Sequence, residues 1–546
     1  MGIKKHFSIL KEVYKYLKKE VLSGVNAWNT LSILVCLLVF LPIFLIIFNV
    51  TSESENWLHI KENLLLNYIF STLYLVIGVG IISTVIGVGC AWFVTYYNFS
   101  GRKYIEWLLI LPMTIPTYIA AYSYYDILEI FSPFLIWCRK NIGLEETIMI
   151  ENILIYFLVI ILFSFVLYPY VYLSSKASLM IQGSRAIEAA NTLGIPTNRL
   201  LWKVIIPIIR PGIIAGLSLV VMETLNDYAA VEYFGVSTLT IGIFRSWFGM
   251  YDINAAIRLA FFLITFVFIV LALEKVLRKG AKYDGRGGNN SLERIELRGK
   301  KQLPVIIFCL TPLLLGFFIP VGRLFSWMLR QDVSINDLNL SSIILNTVGI
   351  SLASSVLIVF IAFLIIFSKN YFNKDSLKKL SHLAILGYSM PGAIIAIGIL
   401  KLNSSINGFI SFMLIGSISG LIFSYVVRFL AVSWQPIDSS MEKLGSNINK
   451  ASRTLSVSPL KSLIQLNYPI LKKPLLIACL IVFIDISKEL PLTLILRPFN
   501  FDTLSTLTYD LISQAQFFQS SVPSLLIVCI SLPAIVLINR QVDKGV

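Results

Sequence analysis

Polar positions in this chain are gathered into short stretches, and between them lie apolar runs of about 20 residues, the length needed to cross hydrocarbon. These runs centre near residues 30–48, 67–95, 105–128, 153–174, 212–233, 256–276, 304–328, 343–367, 380–401, 408–431, 474–496 and 522–539. Backbone polar groups in lipid must be satisfied within the spanning segment or in a closed barrel. The ten-residue alternation of a membrane barrel is missing, so the pattern predicts an all-α polytopic membrane protein with about twelve transmembrane helices.

Composition agrees with that pattern. Of 546 residues, 57% are hydrophobic and 14% charged, against about 25% charged in soluble domains; the mean hydropathy is +0.80. The net charge of +15 raises nucleic acid as a partner, but its placement argues against that. Lys and Arg crowd alternate loops: the N-terminal arm from Lys4 to Lys19, Arg102 and Lys103, Lys176 to Arg210, the stretch Lys275 to Lys301, Lys369 to Lys379, Lys443 to Lys473, and the end from Arg540 to Lys544. The positive-inside rule puts these loops and both termini in the cytoplasm. The expected location is the bacterial cytoplasmic (inner) membrane, with the lipid bilayer as partner and no nucleic acid. The cysteines (Cys36, Cys90, Cys138, Cys309, Cys479 and Cys529) lie mostly within apolar runs and form no CxxC. They read as small apolar residues. The first apolar run follows a basic arm but lacks a small-residue cleavage pattern, so it reads as a retained helix.

The chain repeats itself. "STLYLVIGVGIISTVIG" from Ser71 resembles "NTVGISLASSVLIVFIA" from Asn346, and "LILPMTIP" ending at Pro116 matches "AILGYSMP" ending at Pro391, both at an offset of 275. "AIEAANTLGIPTNRLLWKVIIPIIRP" (186–211) aligns with "NKASRTLSVSPLKSLIQLNYPILKKP" (449–474) at an offset of 262, placing Ala189 on Ala451 and Pro207 on Pro469. Two parallel six-helix repeats follow, related by an axis along the membrane normal. The first half is 1–277, with a polar loop at about 181–210. The Gly-rich basic segment 278–302 is a cytoplasmic linker, and the second half is 303–546, with its polar loop at about 443–473.

Within the first loop Ser184 is an N-cap candidate, residues 185–193 are helical, and Gly194 followed by Pro196 ends the helix. Ala186, Ala189, Ala190 and Leu193 recur at helical spacing and give a small-sided stripe that a partner can approach closely; Ser446, Ala451 and Leu455 repeat the design. EAA (Glu188, Ala189, Ala190), Gly194 four residues later and Pro207 beyond it resemble the cytoplasmic loop of ABC importer permeases. The resemblance implies a coupling helix that docks on an ATPase subunit, with one ATPase for each loop. The second copy departs from the motif: Lys450 replaces the Glu, Ser452 the second Ala and Ser456 the Gly. "METLNDYAAVEYFGVSTLTIGIFRSWFGMYD" (222–252) and "FIDISKELPLTLILRPFNFDTLSTLTYDLISQA" (483–515) resemble the fused, double-length permeases of ferric-iron ABC importers. Thiamine, putrescine and aminoalkylphosphonate permeases are related and stay open as alternatives.

Ionisable residues within spans are functional candidates. At the 262 offset Glu223 falls on Asp485 and Asp227 on Glu489, so each half has an acidic pair at i, i+4, spaced to share a helix face. Two such pairs would suit a hard trivalent cation in a pathway or gate; the alternative is that they hold broken helix ends by hydrogen bonds. Lys488 stands beside the second pair and Asn226 beside the first. Tyr118, Tyr122, Tyr124, Tyr125, Tyr168, Tyr170 and Tyr172 are assigned to the membrane interface. His6, His59 and His382 lack metal-ligand spacing, so no stable metal site is expected.

No G-x-x-x-x-G-K-[ST] occurs. The chain is therefore expected to be a transport subunit and not an enzyme, binding no cofactor itself, with ATP and Mg on two copies of a partner ABC ATPase and substrate brought by an extracytoplasmic binding protein. ATP-driven closure of the ATPases would move the two loops and drive alternating access. An ion-coupled secondary transporter is the more remote reading. A membrane-embedded enzyme would need a convergent catalytic cluster, which the sequence lacks apart from the acidic pairs.

Overall fold

A computed structural model of the protein describes residues 27–124, 130–180, 190, 192–193, 195–278, 294–330, 339–372, 377, 387, 390–406, 415–444, 446–455 and 457–543. These are almost entirely helical. Two residues of parallel ladder, Tyr97 with Ile295 and Asn98 with Glu296, are the strand pairing among them. Among the described residues nine helices are long and apolar enough to cross a membrane: Trp28–Phe48, Leu65–Tyr96, Leu144–Ser178, Leu201–Asn226, Ile253–Leu277, Gly299–Met328, Leu340–Phe372, Ile418–Glu442 and Phe517–Ile538. A tenth is the pair Arg102–Thr114 and Thr117–Ser123, bent by 92°.

The expected twelve is thus reduced among the described residues, for three local reasons. The described part of the run at 105–128 turns through 92° around Pro116, which lies outside both helices and has extended ψ. The run at 380–401 is described only in part, and its described helix Gly392–Ile406 has 15 residues. Tyr468–Ser487 is 20 residues long but carries Lys472, Lys473 and Asp485.

The apolar stripes explain how the long helices are used. In Leu65–Tyr96 the exposed positions are Phe70, Tyr74, Ile77, Ile81 and Val85, while Ser71, Leu75, Val79, Ser83 and Cys90 are buried. Spacing of three and four puts the exposed set on one face, and a face so apolar belongs against lipid. Leu340–Phe372 repeats the stripe at the 275 offset, exposing Leu345, Leu352, Val356 and Phe360.

Packing divides the chain into two compact units. One comprises Asn49–Ile344 and Asp502–Pro533; the other comprises Met1–Phe48, Leu345–Phe501 and Ala534–Val546. These units do not follow the halves read from the repeats, because Ala27–Phe48 packs with second-half helices and Leu303–Met328 with first-half helices. In the first unit Ile206–Asn226 lies so close to Leu144–Ser178 that a Cβ on Gly216 would stand 2.6 Å from Val171 Cα and 2.8 Å from the Tyr170 carbonyl oxygen. Small residues at a crossing permit such approach of two membrane helices. In the second unit Ala27–Phe48 packs on Gly392–Ile406 and Ile418–Leu444 on Tyr468–Ser487.

Candidate functional site

From the polar loops onward the two repeats are one structure drawn twice. The Ile195 N–H donates to the Ala190 carbonyl and the Val457 N–H to the Ser452 carbonyl, both at 3.0 Å. This six-to-one bond closes a helix end of the Schellman type. A short helix follows in each, Thr197–Leu200 and Pro459–Ser462, then a π-helical turn, Leu201–Ile205 and Leu463–Asn467. A long helix comes next, Ile206–Asn226 and Tyr468–Ser487, then a break and a second short helix, Ala229–Tyr233 and Pro491–Leu496. Each of these elements starts at the 262 offset read from the sequence. π-Turns inside helices cluster at functional sites, and both of these stand between a polar loop and a long helix.

Glu188, Ala189 and Gly194 of the first loop and Ser456 of the second lie outside the described residues, as does Ser184. Ala190 is buried, and so is its repeat counterpart Ser452. That position packs inward and does not belong to a partner-facing stripe. Leu193 and Leu455, also counterparts, are 78% and 76% exposed, and Ala451 is exposed on the helix Ser446–Thr454. Its buried side is polar: Asn467 Nδ2 donates to Asn449 Oδ1 at 3.3 Å.

The acidic pairs do not share helix faces as the i, i+4 spacing suggests. The first long helix ends at Asn226 and the second at Ser487, so Asp227 and Glu489 stand beyond the helix that carries Glu223 and Asp485. Both acids turn onto the short helix that follows. Asp227 Oδ1 accepts from the Ala230 N–H at 2.9 Å, and Glu489 Oε1 accepts from the Leu492 N–H at 3.2 Å. These are cap interactions for N–H groups that have no partner in the first turn. Asp485 lies 3.0 Å from Lys488 Nζ, and Glu223 and Asn226 are half-buried.

Geometry is conserved between the two breaks, but charge balance is not. Thr117, on the short helix after Pro116, donates its hydroxyl to Asp227 Oδ2. In the other repeat the residue after the matching Pro391 is Gly392, and Arg428 makes a buried ion pair with Glu489. A Cβ at residue 392 would collide with the Arg428 guanidinium and stand 2.8 Å from Glu489 Oε1. The missing side chain therefore makes room for the arginine. Sequence reading found the acids and missed Arg428, because its partner is 61 residues away in the chain and its immediate neighbours Val426, Val427, Phe429 and Leu430 are apolar.

The tyrosines are not an interfacial belt. Tyr118, Tyr122, Tyr168 and Tyr172 are buried. Tyr168 donates to the Leu109 carbonyl at 3.0 Å and Tyr172 to the Glu106 carbonyl at 2.9 Å. Those carbonyls belong to the end of Arg102–Leu108, where helical partners run out. Tyr124 donates to the Leu315 carbonyl at 2.5 Å, Tyr170 is half-buried, and Tyr125 lies outside the described residues.

Comparison with known proteins agrees with this architecture. Residues 83–283 match the family model described as "Binding-protein-dependent transport system inner membrane component". The chain is 22% identical over 485 residues to the Fe(3+)-transport system permease protein FbpB 2 of Haemophilus influenzae, covering 87% of this chain and 90% of that one. It is also 25% identical over 219 residues to the sulfate transport system permease protein CysT of Escherichia coli, and 26% identical over 190 residues to CysW of the same organism. Those matches cover 39% and 34% of this chain and 76% and 62% of theirs. The chain is a multi-pass membrane protein whose residues 83–283 carry the binding-protein-dependent transport domain found in ABC importer permeases.

Proposed function

We propose that this permease imports ferric iron across the bacterial inner membrane, with both termini in the cytoplasm. The observation that carries the substrate is the span of the similarity. The match to a ferric-iron permease runs through nearly the whole of both chains, whereas the matches to sulfate permeases reach about two fifths of this chain at most. A double-length match preserves both repeats and the linker between them, which a single-length relative does not have.

In this reading the halves 1–277 and 303–546 are two permease repeats fused through 278–302. Each polar loop takes one copy of a separate ATPase, giving two per chain, and an extracytoplasmic binding protein delivers the substrate. Support for the docking role comes from Leu193 and Leu455, large apolar side chains exposed at matching positions of loops too polar to meet lipid. The π-turns immediately after the loops are the natural hinges between an ATPase stroke and the broken spans. Glu223 and Asp227 in the first repeat, and Asp485, Lys488 and Glu489 in the second, are then candidate pathway or gate groups, with Asp227 and Glu489 built into the breaks as caps.

The direct experiment reconstitutes the permease with its ATPase and binding protein in liposomes and follows ATP-dependent uptake of radio-iron against radio-sulfate. Iron uptake is expected. Uptake of sulfate and not iron would move the protein to the other substrate class, and uptake that survives removal of the ATPase would return it to ion-coupled transport.

A further inference from the structure

Just past the first break four side-chain oxygens from three residues converge. Tyr228 Oη donates to Glu232 Oε1 at 2.6 Å, Tyr509 Oη donates to Glu232 Oε2 at 2.9 Å, and the two phenolic oxygens are 3.2 Å apart. Tyr228 is held by the Phe244 ring, stacked at 3.7 Å between centroids and 16° between planes. Tyr509 is fixed by its helix Leu504–Ser513, which starts in a capping box made by Thr503 and Thr506. Glu232 is exposed, so the cluster opens on one side.

A hydrogen-bonded clasp is the plain explanation, and the repeat argues against it. At the 262 offset the counterparts of Tyr228 and Glu232 are Leu490 and Leu494. The second break keeps its acid cap and its short helix without any such cluster. These oxygens are therefore not needed to build the break.

Their geometry and charge suit a particular ligand. An ion with metal–oxygen bonds of about 2.0 Å holds adjacent octahedral ligands about 2.8 Å apart, and neighbouring oxygens along this four-atom cluster lie 2.6, 3.2 and 2.9 Å apart. Hard cations prefer oxygen donors. Two phenolates and one carboxylate carry three negative charges, which neutralise a trivalent ion and leave a divalent one overcompensated.

We propose that Tyr228, Tyr509 and Glu232 form a transient three-residue station for ferric iron in transit. The inference deepens the iron reading above and rests on it for the identity of the ion. Binding replaces the two phenolic protons, which leave to solvent, and forms three iron–oxygen bonds with no change of oxidation state. Three ligands on one face leave the other positions to water or a carried chelator. A site so incomplete lets the ion leave again, as conduction requires.

The full-length permease in detergent, titrated with ferric nitrilotriacetate, should develop a visible phenolate-to-iron charge-transfer band and release two protons per ion. Gallium(III) should release the protons without the band. Tyr228→Phe and Tyr509→Phe should each lower the band to about half. The double variant should abolish it, and Glu232→Gln should weaken apparent affinity at least about tenfold. A wild-type protein with no band, or a double variant that retains it, overturns the station. Radio-iron uptake by the reconstituted transporter separates the two ideas: uptake without a band sinks the station and spares the iron reading, whereas absence of iron uptake removes the iron reading itself.

Discussion

The buried pair Arg428–Glu489 offers a sharp energetic test. Its side chains are 6% and 5% exposed, and Arg428 Nε finds no acceptor among the described residues, so the guanidinium has given up much of its hydration. Removing one member of such a pair leaves an uncompensated buried charge and costs about 3–5 kcal/mol; replacing both with neutral groups of similar volume is often near neutral. Glu489→Gln isolates the charge, because the amide oxygen keeps an acceptor for the Leu492 N–H. Arg428→Met keeps most of the stem volume. Each single variant should therefore lose about 3–5 kcal/mol, while the double variant should lie well above either. Unfolding is best followed locally, because a protein of two compact units need not melt in one step. A variant keeping Cys479 as its sole cysteine, heated in detergent with a thiol-reactive dye, reports on the helix Tyr468–Ser487 that leads into the pair. Additive losses in the double variant would refute the coupling, and with it the idea that Gly392 is small to admit the arginine. The companion change Thr117→Val removes only a hydroxyl donor from Asp227, which retains its Ala230 bond. It should cost about 1–3 kcal/mol, less than either break in the charged pair.

Asp252 should make the protein acid-sensitive. Burial pushes its carboxyl up, but hydrogen bonds from the Ala255 N–H, Ser54 and Asn56 outweigh that and hold it below the usual 3.8. A depressed folded value contributes stability above the unfolded pKa, about 3.9, and that contribution is lost as pH falls through the folded value. Unfolding curves between about pH 6 and pH 3 should therefore steepen in the wild type relative to Asp252→Asn; coincident profiles would contradict this. Leu193→Glu and Leu455→Glu, exposed and remote from the breaks, should leave folding intact and weaken ATPase binding at least about tenfold, read by co-purification; full binding by both would remove the docking role. Gly216→Ala forces a methyl against Val171 Cα and the Tyr170 carbonyl and should cost about 1–3 kcal/mol. A melting temperature equal to wild type would show that the two helices can part freely.

Much of the architecture was legible because lipid imposes simple rules. Apolar length marked the long helices, and the 262 offset read between Ala189 and Ala451 marks the same succession of helix, π-turn, helix and break. The limits are equally physical. Hydropathy does not register the 92° bend around Pro116, because both arms are apolar. The i, i+4 spacing of Glu223 and Asp227 implied a shared face only while the helix continued, and in "LNDYAA" Asp227 serves as cap for the next helix instead. The stripe of Ala186, Ala189, Ala190 and Leu193 suggested a docking face, yet Ala190 is buried and Leu193 exposed. The packing units divide the chain differently from the halves, because repeats record ancestry in sequence order while contacts ignore it.

The contrast between the breaks follows from what the repeat must keep and what it can vary. Each break needs an acceptor for N–H groups at the start of the next helix, so an acid recurs at Asp227 and Glu489. Nothing in that requirement fixes what balances the acid. One repeat uses a threonine hydroxyl, and the other uses a buried arginine with a glycine beside it. An ion-paired break costs more to dismantle than a hydrogen-bonded one. If the spans move during transport, the break at Asp227 is the softer of the two. It is also the one flanked by the oxygens of Tyr228, Tyr509 and Glu232, while the stiffer break at Glu489 is flanked by Leu490 and Leu494. Softness and the proposed iron station thus coincide at the first break, which would make the first repeat the place where movement and cargo are coupled.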